Sequence, residues 1–310
     1  MQDIQKLMES IYNECLPYTK KGKTADYIPE LAKVDSNLFG ACVVTSNGEQ
    51  CGVGDYNHKF TIQSVSKPMI LIQAILDSGE EAVLNKVSLE PTSSSFNSIV
   101  NLELKNEHRP LNPFINAGAI ITTSLIKGES ADEKVNRVIE LLKQMSGNDD
   151  IALNMDVYKS EDRTGSRNRA LAYFMSSTGT LEGNVEEVLE AYFKICSIEV
   201  TCCDLANIAL TIAHNGINGE AKQLFDEDMG KSLRAVMTLC GMYDGSGDFA
   251  VRVGLPSKSG VGGGIMSVSL KNDGMGVAIF GPALDIKGNS YAGVRFLQRL
   301  SNELGLSIFK

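Results

Sequence analysis

The sequence has few of the residues that build metal centres and disulfide frameworks. It contains only three histidines, His58, His108 and His214, and none of them has the spacing of a metal site. Its seven cysteines are an odd number and include no C-x-x-C pair. We therefore expect reduced, mostly buried thiols, no bound metal and no cofactor.

Long apolar runs are also absent. The longest run, residues 69–76, is far shorter than the roughly 20 residues of a membrane-spanning helix. The first 15 residues alternate charged and apolar side chains, without the basic start and apolar block of a secretory signal. These features predict a cytoplasmic protein that does not associate with membranes.

Positively charged residues are fewer than negatively charged ones. The sequence has 29 Lys and Arg residues and 38 Asp and Glu residues, and its net charge is −9. An acidic surface repels nucleic acid phosphates and anionic membranes, so no nucleic acid partner is expected. Hydrophobic residues make up 43% of the chain and charged residues 22%. This composition allows one large core or two packed lobes and argues against disorder.

Strands are predicted at both ends of the chain and helices between them. Residues 38–46 and 50–54 have strand patterns, and Asn47-Gly48 between them is a strong hairpin signal. Further strands are predicted at residues 249–254, 264–270 and 275–280. Residues 65–240 are mainly helical by pattern, and a closing helix carries Val294, Leu297 and Leu304 on one face.

These elements predict an α/β (α+β) fold in which five strands form one antiparallel sheet flanked by the terminal helices. The sheet lobe covers about residues 1–63 and 241–310, and a mainly helical lobe covers about residues 64–240. We expect residues 1–310 to form a single catalytic unit of two lobes. A cleft between lobes is a usual place for a ligand site.

One motif contains a candidate nucleophile. Ser64 and Lys67 are three residues apart, just before the apolar run at 69–76 that predicts a buried helix. Pro68 is tolerated only in the first turn of a helix, which places Ser64 at its N-terminus. The positive end of the helix stabilises an alkoxide, and desolvation lets a lysine take the serine proton. This is the S-x-x-K arrangement of acyl-serine enzymes, although an ordinary N-cap serine is an alternative interpretation.

A second S-x-x-K match occurs at Ser124 and Lys127. It follows an apolar helical run and precedes Gly128, as expected at the end of a helix. A lysine at that position complements the helix dipole. We therefore interpret this copy as structural.

Lys258-Ser259-Gly260 supports the first match. An early S-x-x-K followed by a late K-[ST]-G on a strand is the order found in penicillin-recognising enzymes. The glycine-rich residues 261–264 allow a substrate to approach the backbone closely, although a flexible turn would have the same composition. The third element of that set, S-D-N, is missing from the sequence.

With these motifs, residues 25–305 resemble the bacterial serine-dependent glutaminase family, whose fold is β-lactamase/DD-peptidase-like. The resemblance implies hydrolysis of L-glutamine to L-glutamate and ammonia, and a homo-oligomer, either a dimer or a tetramer. It is carried by segments at residues 25–29, 64–67, 91–98, 112–119, 160–161, 167–168, 192, 241–243 and 252–264.

The resemblance also implies roles for individual residues. Ser64 would be the nucleophile and Lys67 its base, and Tyr243, with Tyr27 close by, would carry the proton to the leaving ammonia. The backbone N–H groups of Ser64 and Val261 would form the oxyanion hole. The implied substrate-binding set is Ser64, Asn116, Glu161, Asn168, Tyr192, Tyr243, Val261 and Ser259.

Part of this binding set makes chemical sense without the family. Free glutamine is a zwitterion, so its ammonium needs an acceptor such as Glu161, and its carboxylate needs donors such as Asn168 and Tyr192. From sequence alone, however, a solvated helix face explains Glu161 better, because Lys159 and Arg163 flank it.

Two other functional classes share this sequence pattern. A β-lactamase or penicillin-binding hydrolase is disfavoured by the missing S-D-N and by the absence of a signal peptide. A catalytically inactive binding domain on the same fold is disfavoured by the intact pair of Ser64 and Lys67.

Overall fold

The computed structural model describes residues 2–92, 94–104 and 108–310. Met1, in the N-terminal stretch considered above, and Ser93, in the 91–98 segment, lie outside the described residues. The α-helices are α1 Gln2–Cys15, α2 Pro29–Ala32, α3 Lys67–Ser78, α4 Glu80–Lys86, α5 Val100–Leu104, α6 Asn116–Ser124, α7 Ala131–Ser146, α8 Met155–Thr164, α9 Ser166–Ser177, α10 Val185–Cys196, α11 Cys202–Ala213, α12 Glu227–Cys240, α13 Ser246–Arg252 and α14 Tyr291–Leu304.

The strands form two sheets. They are β1 Gly40–Thr45, β2 Gln50–Gly54, β3 Phe60–Thr61, β4 Ala152–Leu153, β5 Ile198–Val200, β6 Ser257–Ser259, β7 Gly264–Ser269 and β8 Met275–Phe280. The larger sheet has the antiparallel order β2-β1-β8-β7-β6, which joins both ends of the chain. The predicted five-stranded antiparallel sheet is confirmed, and a small sheet, β3-β5-β4, was not predicted.

A hairpin joins β1 and β2 as predicted, but its loop is three residues long, 46–48, in place of a two-residue Asn47-Gly48 turn, because the N–H of Thr45 donates to the backbone oxygen of Glu49. Val44 lies opposite Gln50, and Gly48 has a φ of 79°, a left-handed conformation that glycine adopts without strain.

One of the five predicted strands is wrong. Residues 249–254 do not form a strand, because α13 occupies Ser246–Arg252. Phe249 and Val253 are both buried, whereas Val251 is 88% exposed. This burial repeats every four residues, which is the period of a helix and not of a strand. The fifth strand is β6, a short and polar segment that shows no strand pattern.

The larger sheet separates two cores. One face, with Val43 of β1 and Ile279 of β8, packs against Met8 of α1 and Leu297 of α14. The other face, with Cys42, packs against the helical part of the chain, chiefly α11. Alternate residues of each strand therefore point into different cores, and both faces of the sheet are buried.

The closing helix α14 has its predicted orientation, because Leu297 is buried and Val294 and Leu304 pack partly buried beside it. In the described part of the chain, no helix is long and apolar enough to cross a membrane.

Candidate active site

A cavity of about 110 Å³, measured as the space open to the centres of water molecules, lies where the 3₁₀ helix Gln63–Ser66 meets α6, α8, α9 and α10. One water needs about 10–15 Å³ on this measure, so there is room for roughly ten water-sized groups. That is the size of a single amino acid. Seven of the predicted site residues line it: Tyr27, Ser64, Asn116, Glu161, Asn168, Tyr192 and Val261.

Ser64 lies in the 3₁₀ helix Gln63–Ser66, which leads directly into α3. Pro68 is in the first turn of α3, as its missing N–H requires. Gln63 has a φ of 48°, which is uncommon for a residue with a side chain. This turn of the backbone brings Ser64 to the cavity at the start of the buried helix, as the sequence predicted.

Lys67 lies behind the cavity wall and is fully buried. Its Nζ donates to the backbone oxygen of Phe114 at 3.1 Å and to Oδ1 of Asn116 at 2.8 Å. Burial lowers the pKa of Lys67 to about 8, while the charges of Cys196 and Glu161 raise it. A neutral amine has two N–H donors and one lone pair, and the two acceptors use both donors.

The contact with Lys67 sets the orientation of two asparagines. Because Oδ1 of Asn116 accepts from Lys67, its Nδ2 donates to Oδ1 of Asn168 at 2.9 Å. Asn168 lines the cavity, and because its Oδ1 accepts from Asn116, its Nδ2 is the donor that this side chain has left. Tyr192, also buried, donates its hydroxyl to Oδ1 of Asn116 at 3.5 Å, the outer limit of a hydrogen bond.

Glu161 lies on α8 and is 7% exposed, so the solvated-face interpretation of this residue is wrong. Burial raises the pKa of Glu161 to about 7, while a hydrogen bond from Gln63 and the charge of Lys67 lower it. Its Oε1 has no hydrogen-bond partner among the described residues. A buried, unsatisfied carboxylate oxygen in a cavity wall is an acceptor available to a cationic group.

Tyr243 also lies behind the cavity, in a 3₁₀ helix over Tyr243–Gly245, with a left-handed φ of 55°. Burial raises the pKa of Tyr243, and the nearby Ser64 side chain and Val261 backbone N–H lower it. These two groups are its neighbours, but the hydroxyl makes no hydrogen bond of normal geometry within the described residues. Nζ of Lys258 lies 4.6 Å from the centre of the Tyr243 ring.

The Lys258-Ser259-Gly260 segment forms β6 and the turn after it. Nζ of Lys258 donates to the backbone oxygens of Gly241 at 3.1 Å and of Ser259 at 2.6 Å, and burial lowers the pKa of this amine. Oγ of Ser259 is buried without a partner among the described residues. A Cβ at Gly260 would lie 2.9 Å from the backbone oxygen of Ile62, so only glycine allows this approach to the Ser64 segment.

Outside the site, the second S-x-x-K match has the predicted structural position. Ser124 is the last residue of α6, and its Oγ donates to the backbone oxygen of Ile121 at 2.7 Å. No group of histidine, cysteine, aspartate and glutamate side chains in the described residues could hold a metal ion.

Several cavity residues had no role in the sequence prediction. They are Gln63, whose side chain contacts Glu161, together with Phe96, Arg167 and Cys196. Arg167 was noted only as part of a motif; its Nε donates to the backbone oxygen of Asn97 at 2.8 Å. One clue to these missed residues was available in the sequence, which is the position of Gln63 next to Ser64. The left-handed backbone conformation of Gln63 has no sequence pattern, so the direction of its side chain could not be predicted.

The five-stranded sheet, the buried helix after Ser64 and the facing Lys258-Ser259-Gly260 strand define a hydrolase of the serine-hydrolase/β-lactamase-like fold. Within that class, the chain belongs to the glutaminase family, whose model matches residues 22–309. It is a hydrolase that acts on the side-chain amide of glutamine.

Two clostridial glutaminases are similar in sequence to this chain over their full length. The chain is 54% identical to a glutaminase of Clostridium tetani and 50% identical to one of Clostridium botulinum, and each alignment covers 99% of this chain and 100% of the relative.

Solved structures of the family are also similar. A probable glutaminase from Bacillus subtilis complexed with 6-diazo-5-oxo-L-norleucine is 37% identical with a TM-score of 0.91, over 100% of this chain and 98% of that one. A covalent complex of a Bacillus subtilis glutaminase with 5-oxo-L-norleucine is 38% identical with a TM-score of 0.90, over 98% of this chain and 99% of that one.

Proposed function

We propose that the chain hydrolyses L-glutamine to L-glutamate and ammonia through an acyl-enzyme on Ser64. The observation that carries this proposal is the Lys67 amine, whose two hydrogen-bond acceptors and lowered pKa suit a neutral amine with a free lone pair. Such an amine takes the Ser64 proton as the hydroxyl attacks the side-chain carbonyl.

The oxyanion that forms in this attack needs donors that are already in place. The backbone N–H groups of Ser64 and Val261 are the proposed pair, and the tight approach of the Gly260 turn to the Ser64 segment supports this pairing. Tyr243, beside Ser64 and Val261, is the proposed carrier of the proton to the leaving ammonia. Tyr27, at the cavity wall, is the proposed second tyrosine of this step.

The two charged ends of glutamine are proposed to bind on the other side of the cavity. Glu161 accepts from the ammonium, because its Oε1 is buried and has no hydrogen-bond partner in the part of the chain that the structure describes. Asn168 donates to the carboxylate through its Nδ2, with Tyr192 beside it and Asn116 holding its orientation. Ser259, whose buried Oγ also lacks a partner in the described residues, is proposed as a further contact.

Labelling with 6-diazo-5-oxo-L-norleucine tests the nucleophile directly, since a relative forms a covalent complex from this compound. We expect one adduct per chain, mapped by peptide mass spectrometry to Ser64 and blocked by excess glutamine. An adduct on Cys196, which also lines the cavity, would contradict the serine mechanism. Assays with glutamine, asparagine and a chromogenic β-lactam separate the proposed activity from that of a β-lactamase or an inactive binding domain.

Replacing Glu161 by Gln is expected to raise the KM for glutamine more than tenfold. The change removes the counter-charge of the ammonium while keeping size and shape, and losing one partner of a desolvated charge pair costs about 2–5 kcal/mol. Initial rates over a range of glutamine concentrations measure the effect. Glu187→Gln, at a half-buried position in the first turn of α10 that does not line the cavity, is the matched control. An unchanged KM in Glu161→Gln would remove Glu161 from the binding set.

Chelators are expected to leave the rate unchanged, because the proposed reaction uses a serine and an amine and no metal. Assays before and after dialysis against EDTA measure this. A rapid, stoichiometric loss of activity that added metal restores would show that the mechanism is incomplete.

Three broader properties are proposed as well. The sheet lobe, about residues 1–63 and 241–310, and the helical lobe, about residues 64–240, act as one catalytic unit, because Ser64 and Ser259 come from different lobes. The seven cysteines form no disulfide in the part of the chain that the structure describes, which supports a cytoplasmic location. A homo-oligomer, either a dimer or a tetramer, rests on the family resemblance and is tested by sedimentation.

A further inference from the structure

Two cysteine thiols face each other between the larger sheet and the helix that covers it. Cys42 lies on β1, and Cys203 lies 161 residues later in the first turn of α11. Their Sγ atoms are 3.2 Å apart, and both are free thiols. A disulfide needs sulfurs about 1.2 Å closer than this, so the fold already holds the two groups near bonding distance.

The two thiols differ in their access to solvent. Cys42 is fully buried in the core beneath the sheet, whereas Cys203 is only partly buried, and its Sγ lies 3.9 Å from Oδ1 of Asn57. A small oxidant in solution therefore reaches Cys203 first. Cys42 is then the inner thiol, placed to react with whatever forms on Cys203.

The local electrostatics also favour Cys203 as the thiol that reacts with the oxidant and Cys42 as the thiol that reacts second. Cys203 is the second residue of α11, where the free N–H groups of the helix N-terminus favour a thiolate. The hydrogen bond with Cys42 lowers the pKa of Cys203 and raises that of Cys42, while burial and Asp204 act against the lowering at Cys203. An accessible thiolate beside a second thiol is the arrangement of cysteines that respond to oxidants.

We propose that Cys42 and Cys203 form a peroxide-sensitive thiol pair that closes to a disulfide between β1 and α11. The Cys203 thiolate attacks one peroxide oxygen and the O–O bond breaks, which leaves a sulfenic acid on Cys203 and a hydroxide. The hydroxide takes up the proton that the Cys203 thiol released on ionising and becomes water. The Cys42 sulfur then attacks the Cys203 sulfur, the S–O bond breaks, and the thiol proton leaves with the hydroxide as a second water. Two thiols are oxidised and one hydrogen peroxide is reduced.

The disulfide would link α11 covalently to strand β1 of the larger sheet. It closes a loop of about 160 residues, and the entropy that a cross-link removes from the unfolded chain grows with loop length. Because the two sulfurs are already in contact in the folded protein, we expect the cross-link to raise Tm by several degrees and to leave glutamine turnover within about twofold.

The test treats the full-length protein with a small molar excess of hydrogen peroxide, followed by alkylation and mass spectrometry. We expect a mass lower by two hydrogen atoms and a single linked peptide pair that contains Cys42 and Cys203. Cys203→Ser and Cys42→Ala should both lose the cross-link and the rise in Tm. Cys240→Ser removes the other partly buried cysteine and should keep the cross-link.

Cys42→Ala has a second diagnostic result, because Cys203 should then stop at an oxygen adduct without a link. If one variant does not fold, the other variant and the peptide map of the wild type still decide the question. The proposal is overturned if wild-type Cys203 gains oxygen without linking to Cys42, or if the linked protein melts at the same temperature as the reduced one. These readouts do not depend on the Ser64 mechanism.

Discussion

Ser64→Ala is expected to abolish turnover while leaving glutamine binding measurable. An acyl-enzyme needs the hydroxyl as its nucleophile, and removing a catalytic serine typically costs about 10⁴- to 10⁶-fold in kcat. The proposed partners of the charged ends of glutamine, Glu161 and Asn168, are untouched by the change. Steady-state assays measure the rate, and titration calorimetry measures binding.

The second S-x-x-K match supplies a control for this variant. Ser124→Ala removes the same hydroxyl from the end of α6, outside the cavity, and should leave the rate within a few-fold. A residual rate in Ser64→Ala above about one hundredth of wild type, in a preparation free of wild-type enzyme, would refute the serine mechanism.

The pH dependence of kcat/KM is expected to follow the protonation of Lys67. Burial lowers the pKa of this amine to about 8, so it is protonated and unable to accept the Ser64 proton at pH 6. Above pH 8 the neutral base predominates, and kcat/KM should rise to a plateau. Glu161, with a pKa of about 7, must be ionised to bind the ammonium and adds to the same rising limb at lower pH.

Lys67→Arg separates a base from a fixed charge. Arginine keeps the charge and can donate to Phe114 and Asn116, but it does not give up a proton near neutral pH. We expect it to be as inactive as Lys67→Met, with no rising limb near pH 8 in any residual rate. Lys127→Arg, in the second match, is the control.

Circular dichroism and Tm establish whether each Lys67 variant folds. More than a tenth of wild-type activity in a folded Lys67→Arg protein would make Lys67 an electrostatic group and not the base. Tyr243 or Tyr27 would then be the candidates, although burial raises the pKa of Tyr243 and makes it a poor base at neutral pH.

Patterns that depend on near neighbours in the sequence were predictable. The β1–β2 hairpin followed from two strand-like segments joined by Asn47-Gly48, and the buried α3 followed from an apolar run after Pro68. The structure of residues 249–254 was not predictable in this way. A short apolar segment fits a strand and a helix equally well, and contacts with the rest of the fold decide which of its residues are buried.

Other features depend on contacts between distant parts of the chain. Strand β6 consists of polar residues, and its place at the sheet edge follows from pairing with β7. One of the two acceptors of Lys67 is a backbone oxygen, that of Phe114, 47 residues away. Backbone oxygens occur at every position, so no residue type marks this one. The left-handed conformations of Gln63 and Tyr243 likewise occur in residues that rarely adopt them.

The burial of the Lys67 amine has a consequence for the stability of the whole protein. In the unfolded chain this amine has its ordinary pKa of 10.5, and in the folded protein its pKa is about 8. Below pH 8 this residue alone therefore lowers the free energy of unfolding by about 3 kcal/mol. This loss of stability disappears as the pH rises from 8 to 10.5. The same desolvation that makes the amine a base therefore opposes folding, and it does so most strongly below pH 8.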